Sequence, residues 1–351
     1  MNIALVHDQL NEFGGAERVL LAMSELFPDA PIYTAYYKKG SPAWERFRTK
    51  KIIASWAQRI PGFSIFSSPL RFLAPQIWNS FDFSAFDVVI GSASWYITKG
   101  FAKKGNAIEI CYCHTPPRWL YGYPTAKPQT MLVRAYGTIV GFFMRQYDFS
   151  AAQKVDYFIA NSKETQKRIQ KFYRRDSVVI YPPIDLPVAP KVKKENYYLF
   201  VSRPVGSKGL EMAIAAAKTL GFHLKIVGRA GTSEKNIDYL GHVSDAKLSE
   251  LYAGAKAFLA LATDEDFGMT PVEAMHFGTP VIAYEGGGYT ESVIDGKTGI
   301  FFEKDLATAI QKFEKLKFNP ADCTLQAEKF SKARFKKELK TFVLSHARSY
   351  T

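Results

Sequence analysis

The sequence predicts an α/β protein of two domains, each built on a mostly parallel sheet. Three observations carry this: a length of 351 residues, short apolar strands alternating with amphipathic helical stretches, and a proline cluster near the middle of the chain. Ile3-Ala4-Leu5-Val6 reads as a first strand. It leads through Gly14-Gly15 into a helix with Val19, Leu20, Met23 and Leu26 on one face. Tyr198-Leu199-Phe200-Val201 opens a second segment of the same design, leading through Arg203 to Gly209 into a helix carrying Met212, Ile214, Ala215 and Ala216. Further strands are expected at 88–90, 108–111, 157–160, 178–180, 224–227, 257–260 and 280–283. Residues 181–190 hold Pro182, Pro183, Pro187 and Pro190, a composition that resists both helix and central strand. This places the boundary between domains 1–183 and 184–328, with 329–351 as a C-terminal helix. Ligands of parallel sheets bind beyond the carboxyl ends of the strands, so the functional groups are expected just after strands.

A hydrophobic fraction of 47% and an aromatic fraction of 15% exclude a disordered chain. Three cysteines, Cys111, Cys113 and Cys323, form neither a CxxC pair nor an even disulfide set, and buried thiols in a reducing compartment are expected. Cys111-Tyr112-Cys113-His114 has no second ligand pair at metal spacing, so no metal site is expected. Residues 1–7 lack the cationic and long apolar parts of a signal peptide, which predicts a cytoplasmic protein. The apolar run 131–144 carries Arg134 and falls short of the ~18–20 residues a membrane span needs. Net charge is +13, and it is uneven: 1–183 has 23 Lys+Arg against 13 Asp+Glu, 184–328 has 16 against 19, and 329–351 has 7 against 1. A basic first half suits a nucleic acid, an anionic membrane, a phosphorylated substrate or plain solvation. Arg59 to Phe66 and Leu70 to Leu73 mix aromatics with cations, as interfacial membrane segments do and as internal packing segments also can.

Thr263-Asp264-Glu265-Asp266-Phe267-Gly268-Met269-Thr270-Pro271-Val272-Glu273 follows the 257–260 strand. Gly268 allows a tight turn into a helix with Pro271 at its first position, and the free amides of such a helix start suit a diphosphate or sugar hydroxyls. The two glutamates are able to accept hydrogen bonds from neighbouring hydroxyls. Thr270-x-x-Glu273 also has the form of a capping box, so a helix-capping role for Glu273 stays open. Gly14-Gly15 fits an anion pocket or a plain turn, and His114 fits a ligand contact or a structural histidine. Gly228-Arg229-Ala230-Gly231 after the 224–227 strand is a weaker sign of a ligand loop.

Glu265 and Glu273 separated by seven residues, with Phe267-Gly268 between them and Gly278-Thr279-Pro280-Val281-Ile282 after, resemble the E-x7-E motif of family 4 glycosyltransferases. The resemblance is to their mannosyltransferase-like branch, which builds O-antigen and exopolysaccharide chains. It extends over nearly the whole chain through Gly14-Gly15-Ala16-Glu17-Arg18-Val19, Cys113-His114-Thr115-Pro116-Pro117-Arg118, Ala160-Asn161-Ser162 and Tyr181-Pro182-Pro183. It implies the GT-B architecture, two Rossmann-like domains facing a central cleft, with the first on the acceptor side, the second holding a nucleotide sugar and the last helix returning to the first. It further implies transfer of a hexose with retention of configuration and without a metal. By the same resemblance Glu265 contacts the transferred sugar, Glu273 the ribose, and the backbone of Phe267, Gly268, Met269 and Thr270 the sugar and phosphate oxygens. Arg203 and Lys208 would meet the departing diphosphate, where fixed cations lower the barrier. His114 would lie near the anomeric carbon, and the segment of His242 would read the base. The resemblance leans to GDP-mannose as donor, with a glycan or polyprenyl-diphosphate-linked acceptor, and the basic first half is expected to dock on an anionic inner leaflet to reach it. A sugar-nucleotide epimerase, a silent sugar-nucleotide sensor and a nucleic-acid-binding protein are the alternatives.

Overall fold

A computed structural model describes residues 1–123, 131–185, 187–202 and 209–347, without the side chains of 132–135. The chain divides into two compact units, one running from Met1 into Pro183 and taking the chain up again at Ala333, the other spanning Ile184–Lys332.

The first unit is built on seven strands: β1 (Ile3–His7), β2 (Ile32–Thr34), β3 (Ile52–Ala54), β4 (Val88–Ala93), β5 (Ile108–Cys113), β6 (Tyr157–Ala160) and β7 (Val178–Val179). Their order is β3-β2-β1-β4-β5-β6-β7, and every pairing is parallel. β1, β4 and β5 are buried along their whole length, which explains why they read as continuous apolar runs without alternation. On one face, Ile3, Leu5, Val88, Ile90, Ile108 and Ile110 pack with Val19, Leu20 and Met23 of the helix Gly15–Leu26. The helix Lys332–Ala347 adds Phe335, Leu339 and Val343 to this same core, and Phe335 meets Tyr112 edge-on at 5.8 Å. The other face buries Ala4, Val6, Val89 and Phe101 against Trp78, Phe81 and Phe83.

The second unit has six strands: β8 (Tyr197–Val201), β9 (His223–Val227), β10 (Ile237–Gly241), β11 (Ala257–Ala260), β12 (Val281–Tyr284) and β13 (Gly299–Phe302). They run parallel in the order β10-β9-β8-β11-β12-β13. The order reverses between β9-β8 and β11, so the loops after β8 and β11 leave neighbouring strands at the switch point where such sheets bind ligands. All three cysteines are free and buried. Among the described residues no helix is long and apolar enough to cross a membrane.

The helix Lys332–Ala347 is distant in sequence from the core it completes, so its removal leaves a cavity that local contacts cannot close. Phe335→Ala is expected to lower the unfolding free energy by about 3–5 kcal/mol. Urea unfolding followed by circular dichroism measures this, and a loss below about 1 kcal/mol would show that the helix does not belong to the core.

Candidate functional site

In the second unit the loop after β11 is positioned by glycine backbones that approach it from several sides. Gly287 and Gly288 follow β12, and the Gly288 N–H donates to the Glu265 carbonyl at 2.9 Å. A Cβ on Gly288 would stand 2.2 Å from the Phe267 Cα, and one on Gly287 would stand 2.3 Å from the Glu265 carbonyl oxygen. Neither position tolerates a side chain without displacing the loop. Gly209, where the described chain resumes after 202, packs in the same way on Leu261, with a Cβ there only 2.4 Å from the Leu261 Cβ. Phe267 is buried and lies 5.3 Å from the Phe330 ring, which anchors the loop in the core.

Gly268 takes φ +83° and ends the loop as the N-cap of the helix Met269–His276. This start lies earlier than the sequence suggests. Pro271 is the third residue of the helix instead of its first, no side chain caps the end, and Thr270 lies inside the first turn. The capping-box reading of Glu273 is therefore corrected. Its carboxylate accepts a hydrogen bond at 2.9 Å from the Tyr252 hydroxyl, on the helix Asp245–Gly254, and Tyr252 is itself stacked on Phe277. Glu265 is half-buried. Burial, with the Glu265 charge adding to it, holds the Tyr289 phenol well above its ordinary range, so a carboxylate and a neutral phenol share this corner. Met269 and Thr270 are half-buried at the helix start.

At the carboxyl ends of β9 and β10, the Gly228 N–H donates to the Gly241 carbonyl at 2.7 Å. This bond brings half-buried Arg229 and exposed His242 to the same edge of the sheet. Gly231 closes the loop over the Tyr239 ring. Arg203 and Lys208 lie outside the described residues.

In the first unit His114 follows β5, is buried, and has its backbone fixed at both ends. Its N–H donates to the Ala93 carbonyl at 3.0 Å, and its carbonyl accepts from the Thr165 hydroxyl at 3.2 Å. Its Nε2 lies 2.8 Å from Ser92 Oγ, which lies 3.0 Å from His7 Nδ1, and His7 Nε2 is 3.5 Å from Glu17 Oε1. The sequence reading missed His7, Ser92 and Glu17 as members of a site. Glu17 lay within a quoted motif, whereas Ser92 is visible only once β1 and β4 are paired, where it stands directly opposite His7. Glu17 also bears on Gly14-Gly15. Its Oε2 accepts the Gly14 N–H at 2.7 Å, so one amide of the pair is bonded to the protein's own carboxylate. Burial pushes the Glu17 carboxyl up, but His7 and the Gly14 amide offset this and hold it below its ordinary value.

Two family models match the chain: the one described as Glycosyl transferases group 1 over residues 183–332, and the one described as Glycosyltransferase Family 4 over residues 13–187. Alpha-1,3/1,6-mannosyltransferase ALG2 of Mus musculus is 24% identical over 408 aligned residues, covering 97% of this chain and 95% of the relative. An uncharacterized glycosyltransferase of Methanocaldococcus jannaschii is 28% identical over 166 residues, 44% of this chain and 47% of the relative, so that match spans about half of each protein. Among solved structures, Anabaena HepE in complex with UDP-glucose aligns with a TM-score of 0.71 at 17% identity, covering 98% of this chain and 100% of that one.

Burial, with nearby His7 adding to it, lowers the His114 pKa from 6.5 to about 3. A depressed histidine stabilises the fold fully above pH 6.5, and this contribution is lost as pH falls toward about 3, because the unfolded chain gains a proton that the folded one refuses. Wild type should therefore lose roughly 2 kcal/mol more stability than His114→Asn between pH 6.5 and pH 5. Parallel losses in denaturant melts at the two pH values would refute this.

The matches to the two models run from residue 13 to residue 332, and the sheets repeat the architecture of solved glycosyltransferases: the chain belongs to glycosyltransferase family 4 and has the GT-B fold.

Proposed function

We propose that this glycosyltransferase moves a hexose, mannose in the preferred reading, from a nucleotide sugar to a lipid-linked saccharide with retention of configuration. The observation that carries this is the Glu265 to Gly268 turn, held by the Gly287-Gly288 backbone and opening directly into the first amides of the helix Met269–His276. Helix-start amides favour anionic oxygens, so the turn suits a diphosphate with a sugar beside it. Glu265 then binds the transferred sugar. Glu273, already steadied by Tyr252, binds the ribose, and the Gly228-Arg229 and His242 edge meets the nucleoside. Arg203 and Lys208 supply positive charge to the leaving diphosphate in this reading, in place of a metal. Mannose is favoured by the mannosyltransferase relatives, while the UDP-glucose held by HepE keeps a uridine donor as the competing outcome.

A thermal-shift panel of GDP, GDP-mannose, UDP and UDP-glucose tests the assignment. One nucleoside diphosphate and its sugar at a hundredfold excess over Kd should stabilise the protein by about 2.7 kcal/mol, seen as a rise of several degrees. Glu273→Gln should lose much of the shift given by the nucleoside diphosphate alone, whereas Glu265→Gln should keep that shift and lose transfer. A panel with no response at all overturns the reading, and epimer formation without an acceptor turns it toward an epimerase.

The lipid-linked acceptor is supported by an exposed apolar surface on the first unit. Ile65 is 78% exposed, Phe66 60%, Ile139 64% and Phe143 62%, and the Tyr136 hydroxyl on the helix Met131–Lys154 donates to the Pro69 carbonyl, which joins the two segments. Residues 56–79 and 131–147 contain Arg59, Arg71, Arg134 and Arg145 and no Asp or Glu. Apolar side chains among cations and no anions suit an anionic bilayer surface better than a protein partner. Arg71 itself is stacked over Trp95 at 4.8 Å, so it fastens the segment more than it meets lipid. The protein should sediment with acidic vesicles at low salt, and Phe143→Asp should abolish this. Equal binding to neutral and acidic vesicles would sink the anionic-surface reading, and binding to neither would sink membrane contact altogether.

A further inference from the structure

At the carboxyl edge of the first sheet, where parallel sheets bind ligands, β1, β4 and β5 each lead into one small assembly around Arg71. Asp8 directly follows β1, Trp95 follows β4 and Trp119 follows β5. Asp8 is buried, and its carboxylate is spent on the loop after β4. One oxygen accepts the Ser94 N–H at 3.1 Å and also the Trp95 N–H, and the other accepts the Thr98 hydroxyl. This fixes Trp95. The Trp119 Nε1–H then donates to the Trp95 carbonyl at 3.3 Å, which ties the second indole to the first. Arg71, on the 3₁₀ turn Pro69–Leu73, lays its guanidinium over both rings, 4.8 Å from Trp95 and 5.6 Å from Trp119.

What this cation lacks is an anion. Its Nη2 donates to the Ser68 hydroxyl at 2.9 Å, while Nε and Nη1 have no acceptor among the described residues and are not closed off from solvent. No carboxylate among the described residues pairs with it, and Asp8, which acts on it electrostatically, is already saturated by the loop. Burial pulls the guanidinium below its ordinary pKa, with Tyr96, Tyr36 and Asp8 opposing this. Arg175 of the same unit shows the contrast. It is a packing arginine, and its N–H groups are taken by the carbonyls of Ala152, Gln153, Val155 and Asp156. The rings cover the faces of Arg71 and keep it from spreading on a bilayer, but they leave its donor edge unused. Ser68 is exposed and, having accepted from Arg71, keeps its own proton for another acceptor. A forked cation beside a hydroxyl is a donor set that phosphate oxygens match. Ile65, Phe66 and Phe72, exposed by 78%, 60% and 40%, flank these two residues in sequence, so a phosphate bound there has apolar side chains alongside it.

We propose that Arg71 and Ser68 bind a phosphate of the acceptor, the one through which the saccharide is joined to its lipid. This rests on the reading of the acceptor as lipid-linked. The lipid then lies along Ile65, Phe66 and Phe72, and the phosphate anchors it at the carboxyl edge of the sheet. Asp8 and the two tryptophans are positioning residues in this arrangement, since they act through the orientation of Arg71.

All five tryptophans, Trp44, Trp56, Trp78, Trp95 and Trp119, belong to the first unit, so indole fluorescence of the intact protein reports on that unit without a label. The probes are geranyl diphosphate, geraniol and inorganic diphosphate. Geranyl diphosphate should change the emission saturably and bind at least about tenfold more tightly than geraniol. Arg71→Met should raise its Kd about tenfold or more, and Ser68→Ala, at an exposed position, severalfold. Melting temperatures confirm folding, and Ser68→Ala decides alone if Arg71→Met melts early. The thermal shift given by a nucleoside diphosphate should persist in both variants, which separates this site from the donor site. No response to geranyl diphosphate, a Kd unaltered by either substitution, or geraniol bound as tightly each overturns the proposal. An Arg71-dependent response confined to phosphatidylglycerol vesicles overturns it too, because it assigns the arginine to bilayer headgroups. Inorganic diphosphate bound as tightly as geranyl diphosphate, with the same loss in Arg71→Met, would instead overturn the lipid-linked reading and leave the phosphate site standing.

Discussion

The candidate donor site depends on one steric constraint, the close approach of two backbones in the second unit. Gly288 lies against Phe267 so tightly that a methyl group there would sit 2.2 Å from the Phe267 Cα, and the Gly288 amide is bonded to the Glu265 carbonyl. A loop held by its backbone leaves its side chains unconstrained by the holding. The Glu265 backbone is thereby fixed in place. Gly268 contributes the other half of the constraint, since its positive φ turns the chain into the helix Met269–His276 within one residue of that anchor, and a Cβ there would meet the Tyr289 ring at 2.4 Å.

The first unit reaches a comparable result by a different route. There the candidate residue His114 is held by polar side chains. Burying two histidines and a serine beside a half-buried glutamate is costly unless their polar atoms find partners, and the contacts among them supply these. The depressed pKa of His114, about 3, has the same origin as its fixed orientation: the apolar surroundings that exclude charge also exclude the water that would compete for its nitrogens.

Most strands were legible because burial on both faces makes a parallel strand a continuous apolar run, and 88–90, 108–111, 157–160, 224–227 and 257–260 all lie within strands. The strands that escaped notice have identifiable reasons. Ile32–Thr34 and Ile52–Ala54 are three residues long, too short for periodicity to register. Gly299–Phe302 and Ile237–Gly241 are edge strands, and the latter is only partly buried, so its residues mix Asp238 with Tyr239 and Leu240. In the site, Glu265 and Glu273 were visible because their spacing is local. Tyr252 was not, since nothing within a window of the sequence links a tyrosine on one helix to a glutamate 21 residues later. The same applies to Ser92, which is 85 residues from His7 and becomes its neighbour only through strand pairing.

The two glutamates of the motif are physically unequal. Glu273 sits on a helix, is half-buried, and already gives one carboxylate oxygen to Tyr252. That bond restricts its rotamers before any ligand arrives, so little side-chain entropy remains to be lost when a hydroxyl binds. Glu265 stands in the turn itself, beside a neutral tyrosine and within reach of the helix start, where a carboxylate is favoured by the dipole but repelled by an incoming diphosphate. In the proposed reading a carboxylate there accepts hydrogen bonds from sugar hydroxyls and repels a phosphate from the same position. The seven intervening residues carry the chain through the turn and into the helix, and so separate a carboxylate steadied by a tyrosine from one carried on the loop itself.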